Sequence, residues 1–222
     1  KIFILGNSRT SDSIIRRELT FLEGDPFNNA KIKESINALK RLGFFQSVIY
    51  NIRKTDITNA VDVILNIEET NTGSVSFGVG YSSLDNTSVT FGLNEKNFLG
   101  EGRRARLEAS LSEKKNTYNI GMTEPYFLDR PISLSSDIYN QKTENSKGDI
   151  KSDKSGISFG LGIREDLKSH SLSYNFSQSQ TTTSSTSTAI SETGEEGINI
   201  ITSSIKYSIA KDTRDNYFNP TS

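Results

Sequence analysis

From Ser74 onward, apolar and polar residues alternate almost one by one, and before Asn71 they do not. Val75, Phe77, Val79 and Tyr81 fall on one side of an extended chain; Ser74, Ser76, Gly78 and Gly80 fall on the other. The same two-faced rhythm returns at Val89–Leu93, Ala105–Leu111, Tyr118–Met122, Ile157–Ile163, Leu172–Phe176 and Ile201–Ile209, and more weakly at Leu134–Ile138. A period of two places successive side chains on opposite faces of a strand. The pattern predicts about eight strands of about ten residues, a length that crosses a bilayer at a tilt.

The first seventy residues read differently. Ile2–Leu5 is a short strand followed by the turn signal Gly6-Asn7. Thr10, Ser11 and Asp12 offer N-caps to a short helix whose apolar side is Ile14, Ile15 and Leu19. After the break at Glu23-Gly24-Asp25-Pro26, Ile32, Ile36 and Leu39 give a second helix its stripe, and Gly43 stands where a left-handed cap belongs. Val48–Arg53 and Val61–Ile67 alternate as strands. The order β-α-α-β-β predicts one sheet covered by two helices. The expected division is a module over 1–70 and an antiparallel strand array over 71–222.

The connections between the later strands fall into two sets. One carries turn formers and aromatics: Asn97–Gly102, Pro125–Pro131, Glu165–Ser169 and Asp215–Ser222. The other begins with short loops at Leu84–Asn86 and Glu113–Asn116, then has two long polar ones, Lys142–Lys154 and Gln180–Gly197. Long loops gathered on one side are a habit of membrane barrels. Tyr81, Phe98, Tyr126, Phe127 and Tyr217 stand near strand ends, where interfacial aromatics sit. Alternation alone leaves a soluble β-sandwich open beside a barrel. Strand length and a polar face rich in Gly and Ser favour the barrel.

Composition removes other classes. With a net charge of -1, the chain offers no bulk attraction to nucleic acid. It has no cysteine, so disulfides and thiolate metal sites are excluded. No apolar run reaches the length of a membrane-spanning helix, a rule that does not detect barrel strands. His170 is the one histidine and has no evident nucleophile nearby in sequence. Gly100-Glu101-Gly102 and Gly160-Leu161-Gly162 open no helix, so they read as turn and strand glycines. The acidic residues lack calcium-loop spacing. Neither an enzyme nor a cofactor is expected.

Four segments of the first module, Ile4–Thr10, Ile15–Glu18, Glu23–Phe27 and Leu42–Phe45, closely resemble a POTRA module. With Thr72–Ser74, Gly78–Ser83, Asn97–Gly100 and Glu124–Phe127, the chain resembles the outer-membrane assembly factors of the BamA family, from the last POTRA into the barrel. That resemblance implies a Gram-negative outer-membrane protein with a periplasmic N-terminal domain, and insertion of other β-barrels as its work. A secretion pore of the same superfamily, exporting one dedicated partner, is the alternative. Phe218–Ser222 looks like a turn into a further strand, so the chain is expected to be a piece of a larger barrel, a complete eight-stranded barrel being the other reading.

The resemblance also implies sites. Ser74, Val75, Ser76, Phe77, Gly78, Val79, Gly80 and Tyr81 would form the strand at the lateral gate. Arg16, Arg17 and Glu18, expected to be exposed, would dock an accessory lipoprotein. Val48, Tyr50 and Ile52 mark a strand edge that would meet unfolded clients. Gly78 and Gly80 have two explanations: they weaken the gate strand, or they avoid crowding on the inner face.

Overall fold

The computed structural model describes residues 1–56, 60–144, 150–165, 167–184 and 195–212. They form two compact units. One holds Lys1–Ser74 together with Glu95–Arg104; the other holds the remaining described residues.

The first unit contains β1 (Ile2–Leu5), α1 (Asp12–Arg17), α2 (Asn29–Leu42), β2 (Phe45–Lys54) and β3 (Val61–Glu69). The sheet order is β1-β3-β2, with β1 parallel to β3 and β2 antiparallel to it. Ile15 and Leu39 are fully buried between helices and sheet, with Ile32 and Leu65 almost so. Two local signals fix α2. The Asn28 side chain accepts from the amides of Ala30 and Lys31 at 2.9 and 3.3 Å, and Gly43 closes the helix at φ 70°. Replacing Asn28 by Ala leaves both first-turn amides without this acceptor. The expected cost is about 1 kcal/mol, read as a lower urea midpoint of this unit with an unchanged m value.

Eight strands form the second sheet: β4 (Gly73–Ser82), β5 (Asn86–Phe98), β6 (Arg103–Ser112), β7 (Lys115–Glu124), β8 (Ile132–Glu144), β9 (Ile150–Glu165), β10 (Lys168–Ser184) and β11 (Glu195–Lys211). They follow sequence order from β4 at one edge to β11 at the other. Every buried hydrophobic side chain among the described residues lies between Ile2 and Ile67. Most of the sheet's large apolar residues, Phe77, Ile120, Phe159 and Ile205 among them, are exposed, and none of those described is buried. A sandwich would bury that face against a second sheet, and none is present among the described residues. The sandwich reading is therefore set aside.

The strands are not uniform. β4, β6 and β7 have 10 residues, whereas β9 has 16 and β10 and β11 have 17. The expected long loops are in large part strand: β8 and β9 pair as far as Glu144 and Lys151, and β10 and β11 as far as Ser184 and Glu195. Residues 145–149 and 185–194 lie outside the described residues, as do Tyr217 and the segment Asp215–Ser222. The cause of the extension is polar ladder pairing. Asn140 Nδ2 donates to Asp153 at 2.7 Å, Lys142 pairs with Asp153 at 3.5 Å, and Lys151 with Glu144 at 3.5 Å. The threonines Thr181–Thr183 suit extended backbone. Polarity was mistaken for loop because the strands lose their apolar face before they lose their hydrogen bonds.

Candidate functional site

Two features organise chemistry here: the free edge at β4, and a turn built into the first unit.

β4 hydrogen-bonds to β5 alone among the described strands. Val75, Phe77, Val79 and Tyr81 on its apolar face are 66–79 % exposed, and Ser74, Ser76, Gly78 and Gly80 on its polar face are exposed as well. Two serine hydroxyls make long contacts between β4 and β5. Ser76 Oγ lies 3.5 Å from the Gly92 carbonyl, and Ser88 Oγ 3.4 Å from that of Gly80. The two glycines differ. A Cβ on Gly80 would lie 3.2 Å from Ser88 Oγ, whereas one on Gly78 would meet nothing within 4 Å. Among the described residues nothing would crowd a side chain at Gly78.

Elsewhere on the polar face, glycine does make room. Arg106 of β6 reaches over Gly121 of β7 to an ion pair with Asp137 of β8. Tyr139 lies over Gly156, where a Cβ would stand 2.6 Å from the ring, and its hydroxyl is 3.4 Å from Asn175 Oδ1.

The turn Glu95–Arg104 is the second feature, and sequence reasoning missed its role. Asn97 Nδ2 donates to Thr10 Oγ1 at 2.9 Å while its Oδ1 accepts from the Gly102 amide at 2.8 Å. The Ser11 amide donates to the Gly100 carbonyl at 2.9 Å. Thr10 and Ser11 were expected to cap α1. Ser11 does occupy the N-cap position, but without a side-chain cap bond, and Thr10 is 2 % exposed beneath the turn. Gly100, at φ 75°, lies so close that a Cβ would overlap the Arg9 carbonyl. A Gly100→Ala substitution should cost about 2 kcal/mol. The measurable result is roughly 30-fold faster hydrogen exchange at the Ser11 amide, with exchange in β7 unchanged.

Below this turn, Glu69 collects donors from the loop before α1. Its carboxylate accepts from the amide of Thr10 at 2.7 Å, the amide of Arg9 at 3.0 Å and the hydroxyl of Ser8 at 2.9 Å, with the Arg9 guanidinium at 3.5 Å. Burial alone would raise its pKa. The hydrogen bonds from Thr10, Arg9 and Ser8 outweigh burial and hold it at about 2.

The charged segment after Ile15 departs from expectation. Arg16 is exposed, bonded to Asp12 and, at 3.2 Å, to the Ile2 carbonyl. Arg17 and Glu18 are mostly covered, with side chains 20 % and 15 % exposed and paired to each other at 3.6 Å. Arg17 lies against the same turn: the position of a Cβ on Gly102 is 3.5 Å from its guanidinium. Val48, Tyr50 and Ile52 lie on β2, an edge of the smaller sheet. Val48 is buried in the core, Tyr50 bonds Asn29 through its hydroxyl at 2.7 Å, and Ile52 is half exposed. What this edge presents outward is backbone, since two of these three side chains are engaged inside the unit.

Among the described residues no group of histidine and carboxylate side chains could hold a metal ion, and no helix is long and apolar enough to cross a membrane.

Comparisons with known proteins match both parts of the chain. The Omp85 superfamily domain matches residues 97–222, and the POTRA family, described as a surface antigen variable number repeat, matches residues 1–70. The outer membrane protein assembly factor BamA of Nitratidesulfovibrio vulgaris is 30% identical over 171 residues, covering 74% of this chain and 21% of that protein. Its counterpart from Neorickettsia risticii is 28% identical, covering 99% of this chain and 30% of that protein. The crystal structure of BamA from Haemophilus ducreyi lacking POTRA domains 1-3 superposes with a TM-score of 0.82 at 26% identity, covering 99% of this chain and 45% of the other. The chain thus spans less than a third of the length of these curated relatives.

Proposed function

The chain belongs to the Omp85 superfamily, and from that membership we propose that it is the junction of a machine that folds β-barrel proteins into the bacterial outer membrane. Residues 1–70 would lie in the periplasm and residues 71–222 would supply barrel strands to the bilayer.

The observation that carries this reading is the place of β4 as the first strand of the eight-stranded sheet, with Gly78 and Gly80 in its interior. In hydrocarbon, each unpaired backbone group costs several kcal/mol. A nascent strand needs a partner before it can enter, and a strand edge supplies one by β-augmentation. Residues Ser74–Tyr81 would act as the gate strand against the closing strand of the full barrel. The backbone edge of β2 would hold clients in extended form beforehand. Arg16, the exposed member of the charged segment, would meet an accessory lipoprotein, with Arg17 and Glu18 setting the local shape beneath it.

Depletion of the full-length protein is the test. The expected result is loss of many unrelated outer-membrane barrels together, with their unfolded chains accumulating in the periplasm. Loss of a single secreted protein, with other barrels intact, would instead identify a dedicated export pore.

A further inference from the structure

The apolar face of β9, β10 and β11 ends in a cluster unlike the rest of that face. Along β10, Lys168 and His170 precede Leu172, Tyr174 and Phe176 at every second position; along β11, Lys211 follows Ile205, Tyr207 and Ile209 in the same way. Register puts Lys168 directly opposite Lys211. All these side chains share the apolar face, because cross-strand partners and every second residue do. The cluster lies at the end of the sheet where β4 begins, the end joined through residues 70–72 to the first unit.

Like charges directly opposite each other destabilise a strand pair. Among the described residues, register places one carboxylate beside them, Glu165 opposite Lys168. Glu165 balances one lysine on that face, and Asp212, next to Lys211 and held to the Leu167 carbonyl through its amide at 2.7 Å, is the second described carboxylate at this end, so the lysines attract an anion by position rather than by an excess of charge. His170 adds an imidazole held in a fixed orientation. Its Nδ1 is 2.7 Å from the Tyr207 hydroxyl. That bond holds the ring through Nδ1 and leaves Nε2 outside it, as the ring nitrogen that a ligand would meet. Tyr207 is thus a positioning residue for the imidazole. An anion seated here would relieve the Lys168–Lys211 repulsion and meet His170. Its apolar continuation would run along Leu172, Tyr174 and Ile205, which are 46, 39 and 74 % exposed.

We propose that Lys168, Lys211 and His170 bind the phosphate of an anionic phospholipid in the leaflet at the end of the sheet where β4 begins. The site rests on the membrane reading above. It would fix the barrel's depth and tilt at these strands by a specific contact in addition to the general apolar belt.

The test is native mass spectrometry of the full-length protein, released from detergent containing equal amounts of phosphatidylglycerol and phosphatidylcholine. The parent should retain phosphatidylglycerol in preference. K168Q/K211Q should bind it about 30-fold more weakly, since each of the two lysines near an anionic headgroup contributes on the order of 1 kcal/mol. H170A should weaken it less, and phosphatidylcholine retention should stay unchanged in both. K142Q/K151Q, at the opposite end of the sheet, should behave as the parent. Unchanged phosphatidylglycerol binding in K168Q/K211Q, or an equal fall for both lipids, overturns the site while leaving the membrane reading intact. A parent protein that stays dissolved without detergent and retains neither lipid overturns the membrane reading itself.

Discussion

A disulfide that ties β4 to the closing strand of the full-length barrel should stop client insertion completely while the protein stays folded and in the membrane. Ser76→Cys is the suitable half of the pair on this side. Ser76 lies on the polar face, where aqueous oxidant has access, and its present contact to Gly92 is a long one whose loss costs little. The chain has no cysteine of its own, so no pairing within it competes. The reasoning is steric and electrostatic together. Templating requires that the N–H and C=O groups of Ser74–Tyr81 exchange their partner strand for a client strand without passing through an unpaired state in lipid. A covalent tie keeps the original partner in place, so the client finds no edge. Oxidised protein should be inactive in a proteoliposome insertion assay, and dithiothreitol should restore it. Full insertion by the oxidised form would remove the gate from β4.

A second result would separate the two roles of glycine on this strand. Gly78→Val stiffens the edge by restricting its backbone, and no described neighbour within 4 Å resists the side chain. If opening limits the reaction, insertion should slow several-fold while the barrel melts at a higher temperature. At Gly121 or Gly156 the same change would only collide with Arg106 and Asp137 or with Tyr139.

The elements themselves were legible because each carries a local signal. Asn28 and Gly43 bracket α2, Ile32, Ile36 and Leu39 line it, and period-two alternation marks β4 through β11. Three things were not legible, for separate reasons. The lengths of β8 to β11 were underestimated because Lys142–Glu144 and Lys151–Lys154 keep their ladder bonds after the apolar face has ended. The cover over Arg17 comes from a turn more than eighty residues away in sequence, and no periodicity reports a contact of that range. Asn97-Phe98-Leu99-Gly100 reads as an ordinary turn, and only the structure reveals that Asn97 bonds Thr10 and that Gly100 faces the Arg9 carbonyl. The membrane face was readable as alternation, yet alternation is shared with sandwiches. The decision between them came from where the buried side chains are, which is a fact of three dimensions.

Glu69 should make the first unit acid-sensitive below the range where most surface carboxylates matter. Its folded pKa of about 2 lies below the ordinary 4.5, so the unfolded chain takes up a proton first as pH falls. The stabilisation is therefore complete above about pH 5, declines between pH 4.5 and 2, and is gone below that. A depression of this size corresponds to roughly 3 kcal/mol, and the side chain, 6 % exposed, is little screened by water. Glu69→Gln should remove most of that stability at pH 7, because the amide nitrogen would face the Thr10 amide or the Arg9 amide and Ser8 hydroxyl, which are donors themselves. The decisive comparison is urea unfolding of the first unit in the intact protein at pH 7, 4 and 2.5, followed by hydrogen exchange in β1 and β3. The gap between parent and variant should be widest at pH 7 and should narrow towards pH 2.5. A gap independent of pH would mean that shape rather than charge holds the Ser8–Thr10 loop. Since that loop carries Thr10 and Ser11 to Asn97 and Gly100, the loss should also appear as faster exchange at the Ser11 amide, linking one buried carboxylate to the seating of the turn between β5 and β6.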